Sequence, residues 1–486
     1  MGVPRQTVPP KTVHASRPLR ALAALLAFLT FFAGTARAGL FDFTVEDEKE
    51  LGQKYNAIIR AKLPLIEDPE ILGYVRDVVT RVSKNMSAQP FPLTVNVIRD
   101  SSMNAFAAPA GYVYVFTGLI LNLNHESEFA AVVAHELAHV SQRHLASKVE
   151  SMKYYSIAQV AGMLAGAILG AATNNPEAGG AVAMGSQAAT AQTYLSYSRV
   201  DEHEADDVGM NYLTASGYDP NGMTGAFTVM RRMKFLKGGG DIPTYLSTHP
   251  GLNERIGYLE DRIKKMPPEV KARKNDDSRF LRAQTLIRAR YTDPSIALGY
   301  YSKLGDKMSC LDKLGKAIAL SRTQNFALAA KPFEEALACG GDDPLYLREA
   351  GRFFLKIRQF AKADALLRKA FEKNPVDLES RRDYADLLAQ NGDYSQALRL
   401  MSPVMLHEPE SPETHAVYAR MLGASGDLFG AHLHLAYAAI YRMDKKQTEF
   451  QMEKAKDLAS TPAQRQELAK LEKLHEARED LFGKYF

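Results

Sequence analysis

Residues 127–144, SEFAAVVAHELAHVSQRH, join an apolar helical pattern to the spacing of a metal-binding motif. His135 and His139 stand four positions apart, and residues at i and i+4 share one face of an α-helix. Both imidazoles can therefore reach one metal ion, with Glu136 beside them as a general base. The turns before His135 are apolar all round, which predicts a buried helix. Buried histidine and glutamate side chains need partners, so we expect a metal site here.

A second acidic stretch supplies the remaining ligand. A hydrolytic zinc site needs a third protein ligand and one open position for water. As a helix, the run SRVDEHEADDVGMNYL places Glu202 and Asp206 on one stripe. We predict Glu202 as the third ligand and Asp206 as a partner that orients a ligand histidine. His144 lies about 140° around the helix from His139, so we predict that it is only a polar residue at the helix end.

The C-terminal part of the chain repeats itself every 34 residues. Two columns keep this period: Ala329, Ala363, Ala397 and Ala431, and Phe326, Phe360, Tyr394 and Leu428. Small alanine side chains let two helices approach closely, and the period resembles that of the tetratricopeptide repeat. Such units bury their apolar faces only against their neighbours and present a groove. The pattern therefore predicts a surface that binds a protein or a peptide.

The N-terminal 38 residues read as an export signal. They carry five basic residues and no acid, and the apolar run 21–33 is followed by Ala36-Arg37-Ala38. An apolar run of this length with an A-x-A site predicts cleavage near Ala38, because a membrane span needs about 20 apolar residues. The alternative is an anchor that stays attached. The rest of the chain then has 55 basic and 56 acidic residues, a near-neutral balance that argues against nucleic-acid binding.

The patterns divide the chain into four segments. Residues 1–38 are the signal and 39–265 carry the metal motifs. Within this second segment we predict helices over 68–84 and 126–148, and strands that contain 93–97 and 111–117. Residues 266–280 are polar, contain Pro267-Pro268 and are predicted to be a linker. The repeats fill 281–486.

The motif HELAH at 135–139, followed by EHEAD at 202–206, resembles the peptidase family of HtpX, Oma and the CAAX prenyl proteases. Residues 104–120, NAFAAPAGYVYVFTGLI, resemble the strand region that precedes the zinc helix in that family. Residues 248–256, THPGLNERI, resemble a later family element. The resemblance implies a mainly α protein, in which an α+β zincin-type metallopeptidase domain with a small sheet precedes an all-α tetratricopeptide-repeat solenoid.

The resemblance also assigns roles by position and implies one Zn²⁺ per subunit. His249 with Arg255 matches a pair that acts as a regulatory fourth ligand in periplasmic members. A plain turn is the alternative for His249. Substrate is expected to lie extended against the strand that begins at Asn104, Ala105 and Phe106. The metal and catalytic residues implied are His135, His139 and Glu202 as ligands, with Glu136 and Asp206 as catalytic residues.

Two functions fit the sequence. The first is a periplasmic zinc metalloendopeptidase that cleaves misfolded or stalled outer-membrane proteins, with its repeats docking clients or the outer-membrane assembly machinery. The alternative is a chaperone or scaffold in which the repeats carry the activity. The apolar stretch 157–173 is predicted to be a buried or flap-like helix, with a lid or a peripheral membrane contact as alternatives. Cys310 and Cys339 are free to pair in an oxidising compartment.

Overall fold

The helix that carries the histidine motif lies between a small sheet and other helices in the computed structural model of the chain. The structure describes residues 43–151, 157–172, 196–236 and 244–485. The predicted export signal lies outside these residues. The described residues from Val45 onward form one compact unit. The predicted linker contains a short helix and the start of the next one, and the domain boundaries stay a prediction.

Four short strands form one mixed sheet in the order β1-β2-β4-β3. The strand β2 pairs antiparallel with β1 and parallel with β4, whereas β3 pairs antiparallel with β4 and lies at the edge. Val113 and Val115 of β4 are both buried. The two predicted strands are confirmed as β2 and β4. The strands are β1 (Leu65–Ile66), β2 (Thr94–Ile98), β3 (Ala105–Ala108) and β4 (Tyr112–Phe116).

Ten helices of the described residues belong to this part of the chain, and α2, α3 and α4 pack on the sheet. The predicted helix 68–84 is confirmed as α2, with Asp68 capping its first turn through bonds from the amides of Glu70 and Ile71. The helix predicted over 126–148 is wrong in one respect, because it breaks after Ser141. Arg143 adopts a left-handed backbone conformation (φ 55°), which ends one helix and starts another. The helices are α1 (Val45–Lys62), α2 (Pro69–Ser83), α3 (Thr117–Asn122), α4 (Glu126–Ser141), α5 (His144–Ser151), α6 (Ile157–Ala172), α7 (Arg199–Ala215), α8 (Asn221–Leu236), α9 (Thr244–Thr248) and α10 (Leu252–Lys264).

The repeats are confirmed as stacked helix pairs. The first helices of four successive pairs begin at Cys310, Pro344, Leu378 and Pro412, and their second helices begin at the predicted column Phe326, Phe360, Tyr394 and Leu428. The alanine column is buried between the helices of each pair. The helices are α11 (Pro268–Lys271), α12 (Ser278–Tyr291), α13 (Pro294–Leu304), α14 (Cys310–Arg322), α15 (Phe326–Gly340), α16 (Pro344–Lys356), α17 (Phe360–Lys373), α18 (Leu378–Gln390), α19 (Tyr394–His407), α20 (Pro412–Ser425), α21 (Leu428–Tyr441), α22 (Lys445–Leu458) and α23 (Pro462–Tyr485).

Two open questions from the sequence receive structural answers. Cys310 and Cys339 form a disulfide between α14 and α15, with Cα atoms 5.8 Å apart. The apolar stretch forms the helix α6, which packs on α1 and buries Leu164 and Ile168. Within the described residues, none of the helices combines the length and apolarity that crossing a membrane requires.

Candidate metal centre

The helices α4 and α7 cross closely enough to bring both ligand motifs together. Gly209 of α7 faces the backbone of α4, and a Cβ built there would lie 3.1 Å from the Ala134 carbonyl oxygen and from the amide nitrogen of His135. That contact is tighter than most side chains tolerate, so glycine permits the approach. Glu202 and Asp206 lie on the same side of α7 and are fully buried.

Four side chains converge on one point. His135, His139, Glu202 and His249 each offer a ligand atom, and these atoms all lie within 4.8 Å of one another. The Nε2 atoms of His135 and His139 are 3.0 Å apart, and Nδ1 of His249 lies 3.3 Å from His135 Nε2 and 2.8 Å from Glu202 Oε1. All four residues are buried. The structure thus brings His249 to the three ligands predicted from the motifs.

Neighbouring polar groups fix which nitrogen of each histidine faces the cluster. Nδ1 of His135 lies 2.9 Å from Asp206 Oδ1, so it donates to that carboxylate and leaves Nε2 free. Nδ1 of His139 lies 2.8 Å from Nδ1 of His144, which in turn has its Nε2 3.3 Å from Glu204. Asp206 therefore occupies the orienting position that the sequence predicts, and His144 occupies a second one.

The placement of His144 corrects the sequence prediction. The bend at Arg143 starts the new helix α5 at His144, which turns its imidazole back toward His139 instead of away from it. The sequence prediction treats 126–148 as one unbroken helix. The spacing of the histidine motif gives no sign of the break after Ser141. Tyr197 was also missed, although its ring stacks on His139 with centroids 3.8 Å apart.

Arg255 binds both buried acidic residues of α7, Glu202 and Asp206. Its Nε and Nη2 atoms donate to the two oxygens of Asp206, each at 2.7 Å, and Nη1 binds Glu202. Tyr258, which sequence reasoning missed, donates its hydroxyl to Asp206. Burial alone would raise the pKa of Asp206, but Arg255 and His135 outweigh it and hold that pKa below its ordinary value.

Glu136 differs from Glu202 and Asp206 because its carboxylate accepts no hydrogen bond. Both of its carboxylate oxygens are buried without a hydrogen-bond partner, and Nε2 of His249 lies 3.5 Å from Oε1. Burial raises the pKa of Glu136. Burial would lower the pKa of His249, but Glu202 and Glu136 outweigh burial and raise it. The cluster thus has a carboxylate available for proton transfer.

The donor set fits a divalent cation. Three buried carboxylates, Glu136, Glu202 and Asp206, face one arginine, which leaves a net charge of −2 when the histidines are neutral. Burying uncompensated charge is costly, so the site takes up protons, as the raised pKa values of Glu136 and His249 indicate, or it binds a cation. A tetrahedral zinc site with bonds of about 2.0–2.1 Å has ligand atoms about 3.3 Å apart. The contacts among these side chains, taken to either oxygen of Glu202, range from 2.8 to 3.6 Å, and the single ligand atoms lie within 4.8 Å of one another.

A narrow apolar cavity adjoins the cluster. Asn104, Phe106 and His249 line it, together with Leu164 and Ile168 of α6. Ala105 and Phe106 belong to the edge strand β3, and Asn104 directly precedes it. The structure therefore places the predicted substrate-binding strand beside the ligands, with α6 on the opposite wall.

The fold and this cluster define a metallopeptidase domain followed by a helical-repeat domain. Residues 70–263 match the family model of peptidase family M48, and residues 355–421 match the tetratricopeptide repeat. M48 metallopeptidases are metal-dependent. The family resemblance seen in the motifs is thus confirmed.

Three relatives show how far the similarity extends. A putative beta-barrel assembly-enhancing protease of Vibrio cholerae is 32% identical over 63% of this chain and 63% of its own length. The beta-barrel assembly-enhancing protease of Yersinia pestis is 27% identical over 79% of this chain and 78% of its own. A mitochondrial metalloendopeptidase OMA1 of Arabidopsis thaliana is 33% identical over 34% of this chain and 30% of its own length. The chain therefore spans less than two thirds of the Vibrio relative.

Proposed function

We propose that the protein is an exported zinc metalloendopeptidase that cleaves misfolded or stalled outer-membrane proteins in the periplasm. The observation that carries the proposal is the buried cluster of three histidines and Glu202 beside the unpartnered carboxylate of Glu136. The names of the Vibrio and Yersinia relatives support the class of client. The A-x-A site at Ala36–Ala38 supports export.

His135, His139 and Glu202 would hold the ion. When bound, zinc supplies Lewis acidity that activates a water molecule and polarises the scissile carbonyl. Glu136 takes up the proton of the attacking water and passes it to the leaving amine. Asp206 and His144 hold the two histidine rings in the tautomer that presents Nε2 to the cluster.

His249 acts as a regulatory fourth ligand in this proposal. Its Nδ1 lies among the ligand atoms, and its Nε2 lies 3.5 Å from Glu136. A catalytic zinc site keeps one position open for water, and His249 fills the region where that position would be. Withdrawal of His249 therefore precedes cleavage, and the enzyme is latent until a client arrives.

The repeats dock the client or the outer-membrane assembly machinery. Their stacked pairs leave an inner surface of first helices, and repeat arrays of this kind bind through such extended concave surfaces. The edge strand β3 then receives an extended stretch of the client through main-chain hydrogen bonds.

Cleavage of an unfolded β-rich outer-membrane protein tests the proposal. We expect Glu136→Gln to lower kcat/KM by about 10²–10⁴-fold, the usual contribution of a general base. Glu254→Gln, an exposed change beside Arg255, is the matched control and should leave cleavage unchanged. His249→Ala should raise cleavage. Equal activity of wild type and Glu136→Gln would refute the peptidase mechanism and favour the chaperone alternative.

A further inference from the structure

The imidazole of His249 contacts two tyrosine rings at the candidate metal centre. The ring of Tyr245 stacks on it, with centroids 4.2 Å apart and an angle of 18° between the planes. The ring of Tyr197 lies 5.3 Å from it, at an angle of 36°. All three side chains are buried. His249 is therefore held by ring packing as well as by its polar contacts to the cluster.

The short helix α9 sets the position of Tyr245. Tyr245 and His249 are four residues apart, and the amide of His249 donates to the carbonyl oxygen of Tyr245 at 2.9 Å. Side chains at i and i+4 are neighbours on a helical turn, so the turn itself brings the two rings together. The Tyr245 hydroxyl has no hydrogen-bond partner among the described residues, so the ring makes the contact with His249.

Tyr197 ties the same segment to a metal ligand. Its ring stacks on the imidazole of His139 at an angle of 17°. Its amide donates to the carbonyl oxygen of Thr248 at 3.0 Å, directly before His249. Through its ring and its backbone, Tyr197 therefore joins the end of α9 to the ligand helix α4.

These ring contacts matter because the metal-binding contact of His249 can be replaced. A catalytic zinc site keeps one position for water, so water can fill the place that His249 leaves. The stack with Tyr245 has no such substitute. A stacked aromatic pair is strong enough to shift an equilibrium about two- to tenfold.

We propose that Tyr245 and Tyr197 form an aromatic clamp that keeps His249 on the cluster. The clamp sets the fraction of molecules in which His249 is withdrawn, and with it the basal rate of cleavage. The inference rests on the regulatory role proposed for His249 above and assigns part of the holding force to ring packing. Tyr197 and His249 also line the apolar cavity beside β3, so a client stretch on that strand lies against the clamp.

Substitution of Tyr245 tests the clamp. Tyr245→Leu keeps an apolar side chain but removes the stack, so we expect cleavage of the unfolded outer-membrane protein to rise about two- to tenfold. Tyr245→Phe keeps the ring and should raise cleavage less than the leucine variant does. Tyr300→Leu, at an exposed tyrosine of α13, is the matched control and should cleave as the wild type does. An unchanged rate in Tyr245→Leu, or an equal rise in both Tyr245 variants, would overturn the inference.

A double variant shows whether Tyr245 acts through His249. In the His249→Ala protein the clamp has nothing to hold, so adding Tyr245→Leu should change the cleavage rate by less than about twofold. A further rise, or a loss of cleavage, would show that Tyr245 acts on the cluster by another route. Either result would contradict the clamp.

Release of bound zinc to a coloured chelator tests the clamp without cleavage. We expect faster release from His249→Ala than from the wild type, because one ligand fewer holds the ion, and an intermediate rate from Tyr245→Leu. Release from Tyr245→Leu at the wild-type rate would refute the clamp. Absence of cleavage in every variant, including His249→Ala, would overturn the peptidase proposal instead, and the release rates would still decide the clamp.

Discussion

Two buried clusters of charged side chains differ in how they balance their charge. Between α2, α12, α16 and α18, Arg290, Arg348 and Arg352 share three buried carboxylates and also bind three that are less buried. The buried carboxylates are Asp68, Glu349 and Glu379, and the others are Glu70, Asp377 and Asp383. At the candidate metal centre, Arg255 binds Glu202 and Asp206, whereas Glu136 has only the imidazole of His249 beside it among the described residues. The first cluster pairs its charges within the chain, whereas the second takes up protons or a cation from outside. Uncompensated buried charge therefore separates a ligand site from a structural network.

The largest effect is expected from breaking the first cluster, the arginine network. Arg348 is buried and binds Glu379 Oε2 at 2.6 Å and Asp377 at 2.9 Å. Arg348→Met removes a buried partner of both carboxylates, which should lower the free energy of unfolding by about 3–5 kcal/mol. Urea unfolding measures the loss, and the exposed Arg399→Met should stay within about 0.5 kcal/mol of wild type. A loss below about 1 kcal/mol for Arg348→Met would show that the network is not structural.

Removing the metal from the candidate metal centre is also expected to lower the free energy of unfolding. A metal that binds only the folded chain stabilises it by about 2.7 kcal/mol at a free concentration one hundred times its Kd. We therefore expect a chelator to lower the urea midpoint of the wild-type protein. His135→Ala, which removes a ligand, should lose this response. A midpoint that the chelator leaves unchanged would contradict metal binding at the cluster.

In the metal-free protein, a substitution at the candidate metal centre should raise stability, by less than the losses above. Glu136→Gln removes one of the two uncompensated negative charges, so we expect it to raise the stability of metal-free protein by about 1 kcal/mol. Glu349→Gln in the arginine network should instead lower stability, because it removes a buried negative charge that Arg290, Arg348 and Arg352 share. Urea unfolding of both variants with chelator present measures this contrast. Changes of the same sign would remove the distinction between the clusters.

The smallest effect concerns a neutral buried pair in the last repeats. Nδ1 of His415 lies 2.9 Å from Nδ1 of His434, with Tyr418, Tyr437 and Tyr441 around them. Burial lowers the pKa of His434 to about 3. The unfolded chain therefore takes up the proton first, so stability is complete above pH 6.5 and is lost as the pH falls below it.

Because of this pair, we expect the free energy of unfolding to fall by about 1 kcal/mol between pH 7 and pH 5.5. Urea unfolding at the two pH values measures the change, and His434→Gln should reduce it. A pH dependence that is identical in the variant would assign the effect to other groups.

Spacing in the sequence predicted the parts of the molecule that depend on local periodicity. The four-residue spacing of His135 and His139 and the stripe of Glu202 and Asp206 are properties of single helices, and the structure places all four side chains together. The 34-residue period likewise gave the starts of the second helices of the repeats. His249 came from the family resemblance alone, because no periodicity connects it to the motifs.

The remaining features depend on contacts that no local pattern records. One left-handed residue, Arg143, turns His144 toward His139, and the spacing of an unbroken helix predicts the opposite. Tyr258 reaches Asp206 from another helix. Arg290 and Asp68 are 222 positions apart in the chain, so their pairing is set by how the repeats pack on α2.

Elemental analysis of the purified protein tests the central claim most directly. The account predicts one zinc per chain in the wild-type protein and in Glu136→Gln, because Glu136 is not a ligand. It predicts loss of the metal in His135→Ala and in Glu202→Gln, which remove ligand atoms of the cluster. Wild-type protein without bound metal, or ligand variants that keep a full zinc content, would contradict it.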